Sequence, residues 1–389
     1  MIYLDHAATT PVRPEVLEAM LPYFTERFGN PSSVHRVGLE AGEGVLRARR
    51  TLADLVGLPP TSVLFTAGGT EADVLALRGT LSCGGGRTRS LVVSAIEHPA
   101  VLETARALAA EGIELRIVAV DAEGRVDAAK VGEAVDATTA LVSIMHVNNE
   151  TGATQPIAAL SRAAKARNPR VAVHVDAVQS FGRYPVSFHR WPDVDLVSIA
   201  GHKIYGPKGV GALFVRPGTH LSPLVTGGGQ EAGLRSGTHN VPGIVGLAEA
   251  ARLLAATAEE DLARYASLAR SFLQGLAERV PGAALNGAAD ETPPYDRRAP
   301  YILNVRIPGA PAEPLLHALE EAGVMASAGS ACHAKDRGLS HVLAAMGLTT
   351  DSGACLRFSF GRATTRAHVD AALDALASVL PRLRAAART

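Results

Sequence analysis

"VAVHVDAVQSFGRYPVSFHRWPDVDLVSIAGHKIYGPKGVGALFV", residues 171–215, contains three short apolar runs, "VAVHVDA", "DLVSIA" and "GALFV", separated by glycine- and proline-bearing turns. Each run is rich in β-branched residues and reads as a strand. The first two end in polar side chains: Asp176 and then Gln179 after one, His202 and Lys203 after the other. Working outward, the same pattern fills residues 60 to 255, where "SVLFT", "SLVVSA", "ELRIVAV" and "ALVSIMHV" alternate with Ala/Leu-rich helical stretches. Seven such runs with helices between them predict an α/β fold with a mostly parallel seven-stranded sheet covered on both faces. Ligands of such sheets bind beyond the carboxyl ends of the strands. The polar tails are therefore expected to converge on one pocket: Thr66 with "AGGTEAD", "EHPA" with His98, "NNETG" with Asn149, Asp176, and Lys203.

A long Ala/Leu helix pattern from about 243 to 278 leads into "NGAADETPPYDRRAP", residues 286–300, a Pro- and charge-rich connection. Beyond it, "YILNVRI", "AEPLLHALEEAG", "LSHVLAAMG", "CLRFSF" and a terminal helix from about 366 read as a smaller α+β domain. The expected division is a large domain over 15–255 and a small one formed by 1–14 and 256–389.

With 38 basic and 38 acidic residues and a pI near 7.2, no charge imbalance singles out nucleic acid or an anionic membrane as partner. No apolar run approaches the roughly 20 residues needed to span a bilayer. "MIYLDHAATTPV" lacks an export signal, and Cys83, Cys332 and Cys355 show no metal-type spacing. A small-molecule enzyme of the cytoplasm with reduced thiols is expected. No HExxH is present and His/Cys residues are not clustered, so no metal site is expected.

Four stretches point to chemistry. In "LFTAGGTEADVLAL", residues 64–77, a strand passes through a Gly-Gly-Thr turn into a helix with acidic residues in its first turn. Unpaired N–H groups at a helix start hold phosphate well, although many α/β turns carry paired glycines for conformational reasons alone. The chain has only five lysines against 33 arginines, and Lys203 and Lys208 are two of the five. A desolvated amine can lose its proton and attack an aldehyde, which guanidinium cannot, so the lysine directly after the strand, Lys203, is the candidate nucleophile. A solvated turn lysine is the plainer alternative. Asp176 suits a pyridinium nitrogen, or else is a helix N-cap after a strand. His98 can stack on a ring or carry a proton, yet a histidine before proline is also an ordinary loop residue, and His35, His146 and His174 are read the same way. Cys332 lies in "SAGSACHAKDRG", small and polar surroundings that favour an ionisable thiol, whereas Cys355 reads as a packed strand residue. Arg357 alternates into its strand and can clamp a carboxylate bidentately or form an interdomain ion pair.

Taken together, "YLDHAATTPV", "FGNPSSVH", "SIMHVNNETG", "HVDAVQS", "GHKIYGPKGVGAL", "GGGQEAGLRSGT", "SAGSAC" and "LRFSFGR" resemble the cysteine desulfurase family in order and over nearly the whole chain. "SAGSAC" followed by a long loop is similar to the branch serving iron–sulfur cluster assembly and nitrogenase maturation. The resemblance implies a fold-type I transferase dependent on pyridoxal 5'-phosphate that converts L-cysteine to L-alanine and leaves the sulfur as a persulfide on Cys332. It implies that Lys203 bonds the cofactor, Asp176 partners its ring nitrogen, Asn149 and Gln179 surround its ring hydroxyl, and His98 stacks on it and relays a proton. Gly69, Thr70 and His202 match phosphate contacts. Thr238 matches a residue reaching the phosphate of a neighbouring subunit, which implies a homodimer. Arg357, beside Asn149, matches the group that holds the substrate carboxylate. The implied partners are L-cysteine and sulfur-acceptor proteins such as an iron–sulfur scaffold, the sulfur going to iron–sulfur clusters or to thiolated cofactors and tRNA. A related pyridoxal-phosphate lyase or aminotransferase, or a silent scaffold, are the competing readings.

Three positions depart from the family pattern: Ala200 where a phosphate-binding serine is usual, Val74 where asparagine commonly follows "TE", and "KDRGLSHVL", which lacks the usual Glu-Pro. Losing one phosphate hydrogen bond costs on the order of 1–3 kcal/mol of cofactor binding, tolerable where other contacts remain.

Overall fold

The computed structural model describes residues 1–83, 90–289, 292–329, 339–350 and 353–386. Seven strands form the main sheet: β2 Val63–Thr66, β3 Ser90–Ser94, β4 Glu114–Val118, β5 Thr139–Ser143, β6 Ala172–Asp176, β7 Leu196–Ala200 and β8 Gly211–Val215. Their spatial order is β2-β8-β7-β6-β5-β3-β4. The pairs from β7 through β4 are parallel, while β8 runs antiparallel to both β7 and β2. The connection 201–210 explains the reversal, because a parallel neighbour needs a crossover of a dozen or more residues and this segment is too short for one.

Alternation along the strands splits the interior into two layers. Val142, Val173, Val175, Val197 and Ile199 pack on one face against α3 Arg36–Val56, α7 Ile157–Arg167 and α8 Val241–Ala255. Leu91, Val93, Leu141, Leu196 and Leu213 pack on the other against α4 Gly69–Cys83 and α5 Pro99–Ala110. Period-two geometry therefore puts Ser143, His174, Asp176 and Ser198 on the α4 side. These polar groups end up buried between sheet and helix.

A second core surrounds a three-stranded sheet of β9 Ala284–Leu285, β10 Ile302–Ile307 and β12 Ala354–Ser359, in the order β12-β10-β9. Helices α9 Ala258–Arg279, α10 Ala312–Glu321 and α12 Arg366–Ala386 cover it. The two-residue strands β1 Ile2–Tyr3 and β11 Val324–Met325 pair in parallel beside it. Strands this short leave no periodicity for a sequence to show.

The single helix expected from 243 to 278 is two, α8 and α9, meeting at 69°. Thr257 breaks the helical path at φ −122°, ψ 12°, and its hydroxyl donates to Asp261 Oδ2 in the first turn of α9. Three acidic residues there, Glu259, Glu260 and Asp261, favour a fresh helix N-terminus over continuation. Among the described residues no single helix is long and apolar enough to cross a membrane.

Candidate active site

A cavity of about 270 Å³ opens beyond the carboxyl ends of the central strands. Each wall comes from a different connection. Gly69 and Thr70 enter from the first turn of α4, His98 from the β3–α5 junction, and Asn149 from the loop after β5. Asp176 and Gln179 come from the end of β6, His202 and Lys203 from the turn after β7, and Arg357 from β12 of the small sheet. Of the residues singled out in the sequence, these nine share one cavity. Thr238 does not. It lines a separate cleft with Glu231 and His239. Cys332 lies outside the described residues.

The amine of Lys203 donates to the backbone carbonyls of Ala7 at 2.6 Å and Ala8 at 2.8 Å. The lysine's own carbonyl accepts from Arg183 Nη2 at 2.9 Å. Asp176 is buried, and its Oδ1 accepts the Val178 N–H at 2.9 Å. Burial pushes this carboxyl up to about 6, against the opposing pull of the Val178 N–H and the Lys203 charge. Gln179 is fixed at both ends, its Nε2 donating to Ala7 O and its carbonyl accepting the Tyr301 hydroxyl. His98 Nδ1 accepts the Ala100 N–H at 3.1 Å and caps α5, so the proton of the neutral ring sits on Nε2. His202 is held near 4 by burial and by the positive charges of Lys203 and Lys208, which keeps it neutral at physiological pH.

Arg357 is the most constrained. Its guanidinium is buried, with Nη1 donating to Asn149 O at 2.8 Å and Nη2 to Asp5 Oδ1 at 2.6 Å. Its Nε has no hydrogen-bond partner among the described residues.

Sequence reading missed Asp73, Glu97 and the stretch 5–8. Asp73 lines the cavity from α4, and its buried Oδ1 has no hydrogen-bond partner among the described residues, lying 3.6 Å from His174 Nε2. His174 bridges Ser143 Oγ and Ser198 Oγ, each at 2.8 Å. Burial and the neighbouring Asp176 charge push Asp73 well above its ordinary value, while burial holds His174 down to about 3. The signal was an acidic residue on the apolar side of "TEADVLAL". Glu97 is fully buried, accepting from Ser94 Oγ and from the Met145 N–H at 2.9 Å, and burial raises it to about 8.

A raised carboxyl means that the folded state keeps a proton the unfolded chain has lost, so stability falls as pH rises from about 4.5 through 8. Glu97→Gln in the cofactor-free protein is expected to flatten this fall by up to roughly 1.4 kcal/mol per pH unit. Thermal midpoints compared between pH 5 and 9 check it; parallel curves for the two proteins would place the proton elsewhere.

Comparison with known proteins agrees with this geometry. The model of the Aminotransferase class-V family matches residues 2–372. The cysteine desulfurase IscS of Dictyoglomus turgidum is 39% identical over 384 residues, covering 98% of this chain and 95% of that protein. A solved NifS-like protein superposes with a TM-score of 0.91 at 36% identity, covering 98% of this chain and all of its own. SspA, solved in complex with cysteine, gives 0.80 at 33% identity and covers 92% of this chain and 99% of its own. The chain belongs to the class-V aminotransferase family and, within it, to the cysteine desulfurases.

Proposed function

We propose that the chain is a pyridoxal-phosphate-dependent cysteine desulfurase that converts L-cysteine to L-alanine and retains the sulfur on Cys332. The observation that carries this reading is one cavity bounded by the Lys203 amine, the buried Asp176 carboxyl and the His98 ring. Its volume sits near the lower end for small-ligand sites, and one end offers the α4 N-terminus with Thr70 and His202. A Cβ at position 69 would stand 2.8 Å from Val178 Cγ2 and 3.3 Å from Ala200 Cβ, so the phosphate end closes only around glycine. These residues fit the cofactor.

When bound, pyridoxal phosphate supplies an electron sink that lowers the cost of removing the substrate Cα proton. Lys203 would hold the cofactor, and its neutral amine would accept that proton. Asp176 would keep the ring nitrogen protonated, with Asn149 and Gln179 beside the ring hydroxyl. His98 would lie against the ring and move a proton through Nε2. Arg357 would orient the substrate through its carboxylate, and the Cys332 thiolate would take the sulfur. SspA, a similar fold, was solved with cysteine, which supports the substrate class.

The homodimer expected from Thr238 is part of this proposal. Thr238 faces a cleft other than its own chain's cavity, as a residue serving a partner's site would. Phe24, Phe28, Val34 and Leu39 leave apolar surface exposed on the N-terminal helices and the loop that joins them, suited to burial between two copies. Delivery of sulfur to an acceptor such as an iron–sulfur scaffold, for clusters or for thiolated cofactors and tRNA, in the cytoplasm and with no direct nucleic-acid or membrane partner, completes the reading. So does the division into domains at 15–255 and 1–14 with 256–389. The main-sheet cores draw on residues 16–254, the other mostly on 262–380.

The test is mass spectrometry after incubation with L-cysteine. One extra sulfur is expected on the peptide containing Cys332, and none on that peptide in Cys332→Ala. Alanine formation at an undiminished rate in that variant would favour a lyase or aminotransferase that needs no thiol.

A further inference from the structure

The guanidinium of Arg357 already has an anion. Asp5 Oδ1 sits 2.6 Å from Nη2, with the arginine side chain 2% exposed and the aspartate side chain 18%. Nη1 is committed to the Asn149 carbonyl, and the buried Nε–H is unpartnered among the described residues. Nε and Nη2 form the edge of a guanidinium that grips a carboxylate with two parallel hydrogen bonds. Half of that edge stands open, and Asp5 holds the other half.

Asp5 is built into this place. Leu4 N–H donates to Met325 O, Ser359 N–H donates to Leu4 O, and Asp5 forms a bridge with Ser359, two residues from Arg357 on β12. The Tyr3 hydroxyl further ties the Asp5 carbonyl. Two residues on, Ala7 and Ala8 present their carbonyls to the Lys203 amine. One N-terminal stretch therefore touches both ends of the reacting region.

We propose that Asp5 is a positioning residue that pre-orients Arg357 for the substrate carboxylate and competes with it for the Nε/Nη2 edge, so that Asp5 limits how tightly the site holds an amino acid. This rests on Arg357 being the carboxylate clamp. An incoming carboxylate either displaces Asp5 from Nη2 or shares that group with it, and in both cases two like charges meet at one cation. The edge binds an amino acid long enough for chemistry and releases the product, because a second anion waits to retake it. A purely structural Asp5 would only neutralise a buried cation, and its loss would weaken every function together.

The experiment titrates the holoenzyme with L-alanine, the product, following the visible spectrum of the bound cofactor, alongside steady-state KM and kcat for L-cysteine. Asp5→Asn keeps an oxygen that accepts from Nη2 and removes the charge. It is expected to tighten alanine binding and lower KM by roughly tenfold, with the larger change in KM and not kcat. Asp5→Ala, which also removes the acceptor, is expected to lose that gain and to melt earlier in the cofactor-free form. Unchanged or weaker alanine binding in Asp5→Asn overturns the competition. Arg357→Gln separates this from the reading beneath it. If Arg357→Gln binds alanine as the parent does, Arg357 is not the clamp and both fall; if it loses alanine while Asp5→Asn binds no tighter, the clamp stands and the role of Asp5 is wrong.

Discussion

Lys203→Ala is expected to lower alanine formation from L-cysteine by on the order of 10⁴-fold, because on the proposed reading Lys203 would be both the covalent anchor of the cofactor and the base for the Cα proton. The fold should survive. The lysine amine contacts two backbone carbonyls, and the interaction that ties this turn to Arg183 uses the main-chain carbonyl, which alanine retains. The variant should therefore elute and melt close to the parent while losing the visible absorption of a lysine-bound aldehyde. Small primary amines added to the assay should restore part of the lost rate, since the cavity then regains a neutral base where the side chain was. A variant that keeps both colour and turnover would remove Lys203 from the chemistry, and Lys208 in the same turn would be the amine to test next.

The main sheet was legible because its strands are short apolar runs, several followed by polar residues, and most of them are buried on both faces. Lys203, Asp176 and His98 stood out as reactive side chains at or shortly after the ends of such runs. Arg357 came from a separate core 150 residues downstream, and only its alternation within "CLRFSF" gave it away. Other features depend on tertiary placement. Asp5 precedes any recognisable element, and its partner is 352 residues away. Asp73 shows in the sequence only as an acid on the apolar side of α4; what it faces, His174, appears once α4 is laid on the sheet. Ala7 and Ala8 contribute only carbonyls, which no residue type announces. The bend between α8 and α9 was hidden because an Ala/Leu pattern continues across it, and threonine and acidic residues are common inside helices as well as at their starts.

Asp176→Asn is expected to lower kcat by on the order of 10²–10³-fold while making the cofactor-free protein more stable at neutral pH. The two effects have one cause. Asp176 sits inside the protein beside Asp73 and Glu97, and burial raises its carboxyl from 3.8 to about 6. Without a cationic ring to face, the ionised carboxylate is a liability: the unfolded chain sheds its proton near pH 4, the folded chain near pH 6. Stability is accordingly lost as pH rises between those values and does not return above them. Asparagine carries no charge at any of these pH values and keeps an oxygen for the Val178 N–H. The gain above pH 6 is on the order of 1–3 kcal/mol, read as a higher melting temperature of the cofactor-free variant at pH 8 and little difference near pH 4. On the proposed reading the same substitution would remove the charge that would keep the cofactor's ring nitrogen protonated, and removal of the substrate Cα proton would slow. A variant that is slower and no more stable would mean that another group neutralises Asp176 in the empty cavity. One that is more stable and equally fast would mean that Asp176 does not face the ring nitrogen.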